Sequence, residues 1–341
     1  MFFEKKKKIE NHQPIDFVLL WVDGNDLEWQ KQFYRYADDS DGDKRKCRFR
    51  DWDNLQYMFR AFEYCTPWVR KIHFVTWGHL PSWLKTDHPK INVVRHEDFL
   101  KKENLPVFSS HPLEINIHLI KGLSDQFVYF NDDMFILNNL KTVRFFKNKL
   151  PCDILSFSII SVSPIAHVKI NNIQAINRNF HKNEVVRSQL RKIINPSYDI
   201  KNIFKSILLI PWPIITGFFD GHQPQPFLKS TFNEVWEKEK ELLQQTSKSR
   251  IRKYSDLSQY LFRYWQLCSG NFTPVSFSKT CAKAIRNKND ANEVAKMIIS
   301  RKLEMICIND LVEDDDLFEE CKIIINQSFE KIFPNKSSFE V

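Results

Sequence analysis

Phe127-Val128-Tyr129-Phe130 runs directly into Asn131-Asp132-Asp133, and few places in a fold accept that order of residues. Four consecutive bulky apolar side chains need cover on both faces, which a strand inside a parallel sheet provides. Two adjacent carboxylates need water, donors or a cation. A strand buried along its length and ending in such a pair must end at the rim of its sheet, where open α/β folds bind ligands. Oxygen donors of this kind suit Mg²⁺ or Mn²⁺. The same residues also suit an Asx-rich turn that merely closes the strand.

The rest of the chain supplies a sheet for that strand. Asp16 to Val22 reads as another buried strand, ended by the turn Asp23-Gly24-Asn25-Asp26, and Ile72 to Thr76 and Ile91 to Val94 read as two more. Between them a helix is predicted from Asp51, capped by Asp51 or Asp53, with Leu55, Phe59 and Phe62 at helical spacing and Pro67 as its stop. A second helix is predicted from Glu114 to Leu123, with Ile115 and Leu119 turned inward. This alternation predicts an α/β fold, a Rossmann-like and mainly parallel sheet with flanking helices. After about residue 145 the pattern changes. One or two strands are predicted within 153–170, then an amphipathic helix from Lys201 to Leu209, and helices over Phe232 to Gln245, Ser255 to Leu267 and Glu319 to Ile332. The expected organisation is a basic tail, 1–13, and a single domain, 14–341. Its α/β core spans about 14–150, and a more helical part, about 151–341, packs on that core.

Composition narrows the partners. With 29 phenylalanines and 7 glycines, the interior is bulky, and neither G-x-G-x-x-G nor G-x-x-x-x-G-K occurs. Any phosphate must therefore be met by cations and side chains. The net charge of +8 favours anionic partners, but no nucleic-acid-binding signature accompanies it, so nucleic acid is not an expected partner. Seven cysteines without a CxxC pair read as reduced thiols of a cytosolic protein. The N-terminal residues lack the apolar core of a signal peptide. The longest apolar stretch, Ile207 to Phe219, is broken by Pro211 and Pro213 and is too short to span a bilayer. A cytoplasmic protein, at most peripheral on the inner membrane face, is expected.

Three further places can carry chemistry. Glu114 and His118 lie one helical turn apart, as a cap and a surface histidine or as members of the cleft beside Asp132 and Asp133. His222 sits in Gly221-His222-Gln223-Pro224-Gln225-Pro226, whose prolines hold the backbone extended. It is either an ordinary loop residue or a group placed to accept a proton near neutral pH. Arg252 belongs to a basic run, Lys248 to Lys253, which is a solvated face or the source of a fork for phosphate oxygens.

Taken together these segments resemble the Stealth family. Its members are bacterial capsular polysaccharide phosphotransferases, related to the catalytic subunit of the lysosomal-enzyme GlcNAc-1-phosphotransferase. Ile15-Asp16-Phe17-Val18-Leu19-Leu20-Trp21-Val22-Asp23-Gly24-Asn25-Asp26 is similar to the first conserved region. Arg48-Phe49-Arg50-Asp51 through Arg60, Thr66-Pro67-Trp68-Val69, Val75-Thr76-Trp77-Gly78, Glu114 with His118, and Asn131-Asp132-Asp133 resemble the second. His222-Gln223-Pro224, then Arg252, Asp256 and Phe262-Arg263-Tyr264, resemble the third. Cys307-Ile308-Asn309-Asp310 and Phe333-Pro334 with Ser337-Ser338-Phe339-Glu340 resemble the fourth. Asn54 departs from the pattern, which has an acidic residue there. The segment from about 160 to 215 matches least and is the expected seat of acceptor specificity.

The resemblance implies transfer of a hexose- or N-acetylhexosamine-1-phosphate from a UDP-sugar to a glycan hydroxyl, forming a phosphodiester and releasing UMP. The alternative is a metal-dependent glycosyltransferase that releases UDP. On the first reading Asp132 and Asp133 hold Mg²⁺ or Mn²⁺, and His222 is the general base. Arg252 stabilises the phosphoryl group in transfer, and Glu114 orients the acceptor, positions His222 or binds metal. Asp23 and Gly24 shape the donor pocket, with Asn131, Arg263 and Asp310 as further candidates. Capsule assembly proteins are possible partners in the same reading.

Overall fold

In the computed structural model the described residues are 13–37 and 50–341. The Lys5–Lys8 run, the loop 38–46, Cys47, Arg48 and Phe49 lie outside them. The strands are β1 (Ile15–Leu20), β2 (Ile72–Thr76), β3 (Ile91–Arg95), β4 (Gln126–Asn131), β5 (Met134–Ile136), β6 (Phe146–Lys147), β7 (Leu150–Asp153), β8 (Gln225–Leu228), β9 (Thr273–Pro274), β10 (Thr280–Ile285) and β11 (Met305–Asp310). The main sheet has the order β3-β2-β1-β4-β8. Its first four strands are parallel, and β8 runs antiparallel on the edge beside β4. Pro226 is tolerated in β8 because an edge strand can spare a donor.

Strand alternation divides the core cleanly. Phe17 and Leu19 of β1, with Val128 and Phe130 of β4, face one apolar layer, and Val18, Leu20, Phe127 and Tyr129 face the other. On the first side the Phe17 ring lies 5.0 Å from Phe62 and 4.8 Å from Phe130. The helices Leu55–Cys65 and Asp315–Ile332 contribute to this layer. On the second side Phe232 stacks on Phe262 at 3.8 Å. Burying such a ring stabilises by about 3 kcal/mol. Asp16, fully enclosed at the start of β1, pins the sheet: it accepts from Arg70 Nε at 2.8 Å, the Ser124 amide at 2.8 Å and His73 Nε2 at 3.1 Å.

A second sheet, β10-β11-β5, grows from the end of the first. Asn131 closes β4 and Met134 opens β5, so Asp132 and Asp133 form a two-residue turn between the sheets. The Ile308 amide of β11 donates to the Asp133 carbonyl at 2.9 Å and fixes this turn.

Several expectations are corrected. The helix predicted from Asp51 begins at Leu55, after Asn54, whose side chain makes no capping bond. Asp51 instead accepts from Trp21 Nε1 at 3.1 Å and from the Asp53 amide at 2.7 Å. The helix predicted over Glu114 to Leu123 is Ser110–Asn116, and its continuation tightens to a 3₁₀ turn, Ile117–Leu119. The tighter winding carries Leu119 out to solvent, while Ile115 stays buried. Within 153–170, β7 ends at Asp153 and a helix, Ala166–Asn179, begins; an isolated bridge joins Phe157 to Phe218 between them. The single helix predicted over Phe232 to Gln245 is two, Lys229–Lys238 and Lys240–Ser247, broken at Glu239.

Candidate functional site

Register brings the two halves of the site together. Pairing of Tyr129 with Gln225, run on past the strand ends, sets Gln223 and His222 level with Asn131 and Asp132. Gln223 Nε2 donates to the Cys281 carbonyl of β10 at 3.0 Å, tying this loop to the second sheet. His222 takes a left-handed backbone, φ 44°, a conformation that non-glycine residues adopt at a cost. Its Nε2 lies 3.4 Å from Asp133 Oδ2 and its Nδ1 lies 3.1 Å from the Tyr260 hydroxyl.

Opposite His222 stands Cys307, which sequence reasoning placed in a motif without a role. It pairs with Met134 in the second sheet and sets its thiol beside the Asp133 carboxylate. Donor atoms of Asp133, His222 and Cys307 all lie within 4.8 Å of one another, a group able to hold a metal ion. Asp132 lies outside that group. Asp133 divides its oxygens: Oδ2 faces His222, and Oδ1 is buried without a hydrogen-bond partner. An enclosed carboxylate oxygen in that state fits a cation. Burial, then Asp133, pushes the Cys307 thiol well up, which disfavours the thiolate form that ligates metals.

The electrostatics follow from crowding. Burial first, then the charges of Asp133 and Asp51, pushes the Asp132 carboxyl up to about 8. Asp132 is nevertheless exposed at the turn, so the mass of protein around it and the neighbouring charges, rather than closure from solvent, raise its carboxyl. Burial alone would lower the His222 pKa, but the hydrogen bond and charge of Asp133 outweigh it and hold it above its usual value. Burial keeps Tyr260 neutral and a donor.

Glu114 reaches this centre indirectly. Its Oε2 accepts from the Gln259 amide at 3.0 Å, next to Tyr260. It also touches the Tyr129 hydroxyl, which donates to Asn131 Oδ1. His118 does not share its cleft: it is buried against Phe232 and Trp236, and burial lowers its pKa to about 4. Arg252 sits at the start of the Glu114 helix, 3.4 Å from Ser110 Oγ.

Arg263 is 1% exposed and occupied by protein carboxylates. It makes two bonds to Asp153, at 2.9 and 2.8 Å, and one to Asp220 at 2.6 Å. Asp220 also binds Lys169 and the Tyr264 hydroxyl, both at 2.9 Å. Asp310 is likewise paired, with Arg50 at 2.9 Å.

On the β1 side, the Asp23 amide donates to His79 Nε2 at 2.7 Å, and Gly24 accepts from Gln30 at 2.7 Å. Burial keeps His79 below its usual pKa, against Asp26 and Asp23. That fits an Nε2 that accepts a proton bond. Beyond His79, at the ends of β2 and β3, lies a cavity of about 370 Å³ lined by Trp77, Arg95 and His96 among others. No sequence signal marked Tyr260 or His79.

Among the described residues no helix is long and apolar enough to cross a membrane. Residues 13–40 match Stealth protein CR1, conserved region 1, and residues 48–153 match Stealth protein CR2, conserved region 2. The capsular polysaccharide phosphotransferase WcwK of Streptococcus pneumoniae is 39% identical, over 97% of this chain and 99% of its own. The receptor polysaccharide phosphotransferase WefC of Streptococcus oralis is 35% identical, over 96% and 99%. The exopolysaccharide phosphotransferase cps2G of Lactiplantibacillus plantarum is 36% identical, over 96% of each. Among solved structures, the galactosyltransferase LgtC in complex with donor and acceptor sugar analogues overlaps loosely, with a TM-score of 0.42 at 8% identity, covering 95% of this chain and 96% of that one. Two conserved regions in order and near-full-length identity at this level place the chain in the Stealth family.

Proposed function

We propose that this chain is a cell-surface or capsular polysaccharide phosphotransferase. It moves a hexose- or N-acetylhexosamine-1-phosphate from a UDP-sugar to a glycan hydroxyl, and UMP leaves. The observation that supports this most directly is His222, held between Asp133 and Tyr260 at the rim of the sheet.

The Asp133 carboxylate accepts from Nε2–H, which leaves the Nδ1 lone pair for a proton; this tautomer is assigned from the contacts. The acceptor hydroxyl takes the place of Tyr260 at Nδ1. As its oxygen bonds to the phosphorus that carries the sugar, its proton passes to Nδ1 and the imidazolium is stabilised by Asp133. The bond from that phosphorus to the bridging oxygen breaks, and the electron pair departs with UMP. Arg252 meets charge on the phosphoryl oxygens. Glu114 positions Tyr260 through the Gln259 backbone, and Asp23 and Gly24 border the donor. Mg²⁺ or Mn²⁺ would be held by Asp133 through its unpaired Oδ1, with Asp132 offering a second carboxylate from the exposed side of the same turn, and would supply charge neutralisation at the diphosphate. The same reading makes the enzyme a cytoplasmic protein and a peripheral visitor of the inner membrane face.

The test is the nucleotide released when purified protein meets UDP-sugars, Mg²⁺ or Mn²⁺ and short glycan acceptors. UMP release that requires acceptor and His222 is the expected result. UDP release would replace this reading with a glycosyltransferase.

A further inference from the structure

The helix Ile200–Leu209 is mounted with its polar side inward. Asn202 and Ser206 are its buried residues. Ser206 Oγ accepts from the Phe157 amide at 3.0 Å and lies 3.2 Å from Ser156 Oγ, which donates to the Asn202 carbonyl at 3.0 Å. The opposite face carries Ile200, Phe204 and Leu208, which are 80%, 60% and 62% exposed. In a globular protein the apolar stripe of a surface helix normally faces the core.

This face does not end with the helix. Trp212 and Ile214 follow it, both exposed. Isolated exposed hydrophobes are ordinary, but a contiguous patch marks an interaction surface. The charges along it are positive, with one carboxylate, the exposed Asp199, just ahead of the helix. From Ile200 to Phe219 the chain has no acidic residue. Lys201 and Lys205 stand one turn apart, both exposed, along one border of the apolar face.

We propose that this face docks on a lipid bilayer surface bearing anionic headgroups. Apolar side chains enter the acyl boundary, Trp212 sits at the interface, and the two lysines reach up to phosphate groups. A second copy of the chain fits less well, because a symmetric contact brings two lysines of each copy together with only Asp199, at the helix start, to offset them. From Ile214 the chain runs on through the Phe157–Phe218 bridge to His222, so a docked protein would turn this edge of the site toward the bilayer. The docking surface rests on the helix alone; only that last use depends on the transferase reading.

Flotation with vesicles tests it in the absence of any nucleotide-sugar, so the result is separate from activity. Vesicles of phosphatidylcholine alone are compared with equal parts phosphatidylcholine and phosphatidylglycerol. The expected result is binding to the anionic vesicles that drops at least about tenfold in Lys201→Glu/Lys205→Glu. Phe204→Asp/Leu208→Asp should lose binding to a similar degree with an unchanged melting temperature, since neither side chain is in the core. Absence of vesicle binding, or equal binding by both variants, overturns the proposal. So does a wild-type dimer in light scattering that Phe204→Asp/Leu208→Asp converts to a monomer, which assigns the face to self-association.

Discussion

Replacing Arg263 with methionine separates a residue that holds the site together from one that binds substrate. The substitution keeps an unbranched apolar stem but removes a cation that three bonds tie to Asp153 and Asp220. Removing one partner of a buried ion pair typically costs about 3–5 kcal/mol, because the other charge stays enclosed. Here both carboxylates keep other donors. Asp153 accepts from Gln225 Nε2 at 2.9 Å and the Ile154 amide at 2.7 Å, and Asp220 keeps Lys169 and Tyr264. The expected loss is therefore at the lower end, about 3 kcal/mol. With 341 residues and about 2.1 cal/mol/K per residue, the unfolding entropy is roughly 0.7 kcal/mol/K, which converts that loss to a melting shift of about 4 °C. Asp220 stands two positions before His222, so kcat should fall with little change in the KM for donor. Differential scanning fluorimetry and initial rates of UMP release read both effects. A variant with unchanged melting and a raised donor KM would refute the reasoning and return Arg263 to the binding surface.

Other perturbations follow from the same geometry. His222→Gln should cut acceptor-dependent UMP release by roughly 10²–10⁴, whereas Tyr260→Phe, losing one hydrogen bond, should cost only about fivefold; single-turnover assays rank the two. Asp133→Asn should weaken Mn²⁺ binding, read by electron paramagnetic resonance without substrate, while Cys307→Ser should leave it near wild type. Although burial alone would raise it, the Asp16 carboxyl is held at about 2 by His73, Arg70 and the Ser124 amide. A depressed carboxyl stabilises the fold above its unfolded value near 4 and loses that contribution as pH falls toward 2. Asp16 should thus supply about 2 kcal/mol that disappears over this window. Denaturant melts of wild type and Asp16→Asn should converge at the acid end; parallel curves would contradict it.

The first four strands were legible because each is a short, mostly apolar run between turn signals, and such runs have few other ways to be buried. The acid pair and His222 were also visible, but as separate motifs. Their meeting depends on β8 turning antiparallel beside β4, and nothing local in Gln225–Leu228 announces a strand. Cys307 entered the site through pairing of β11 with β5, again a contact distant in sequence. Tyr260 looked like one more aromatic in an apolar helix. The helix Ile200–Leu209 was correctly amphipathic in sequence, yet periodicity cannot say which face a fold will cover. Charges such as Arg60 carried no signal of their fate: it pairs with Glu340 at 2.9 Å, so the last residues of the chain close over the Leu55–Cys65 helix.

The two-residue joint at Asp132–Asp133 also limits how the chain can evolve. Strand side chains alternate, so one residue added or deleted there must be absorbed by a neighbour. If β4 slipped, Val128 and Phe130 would change layers with Phe127 and Tyr129. If β5 slipped, Met134 would lose its register with Cys307. Either way a length change reaches a packed layer before it reaches the carboxylates. The count from Phe127 to Ile136 is held by two sheets at once.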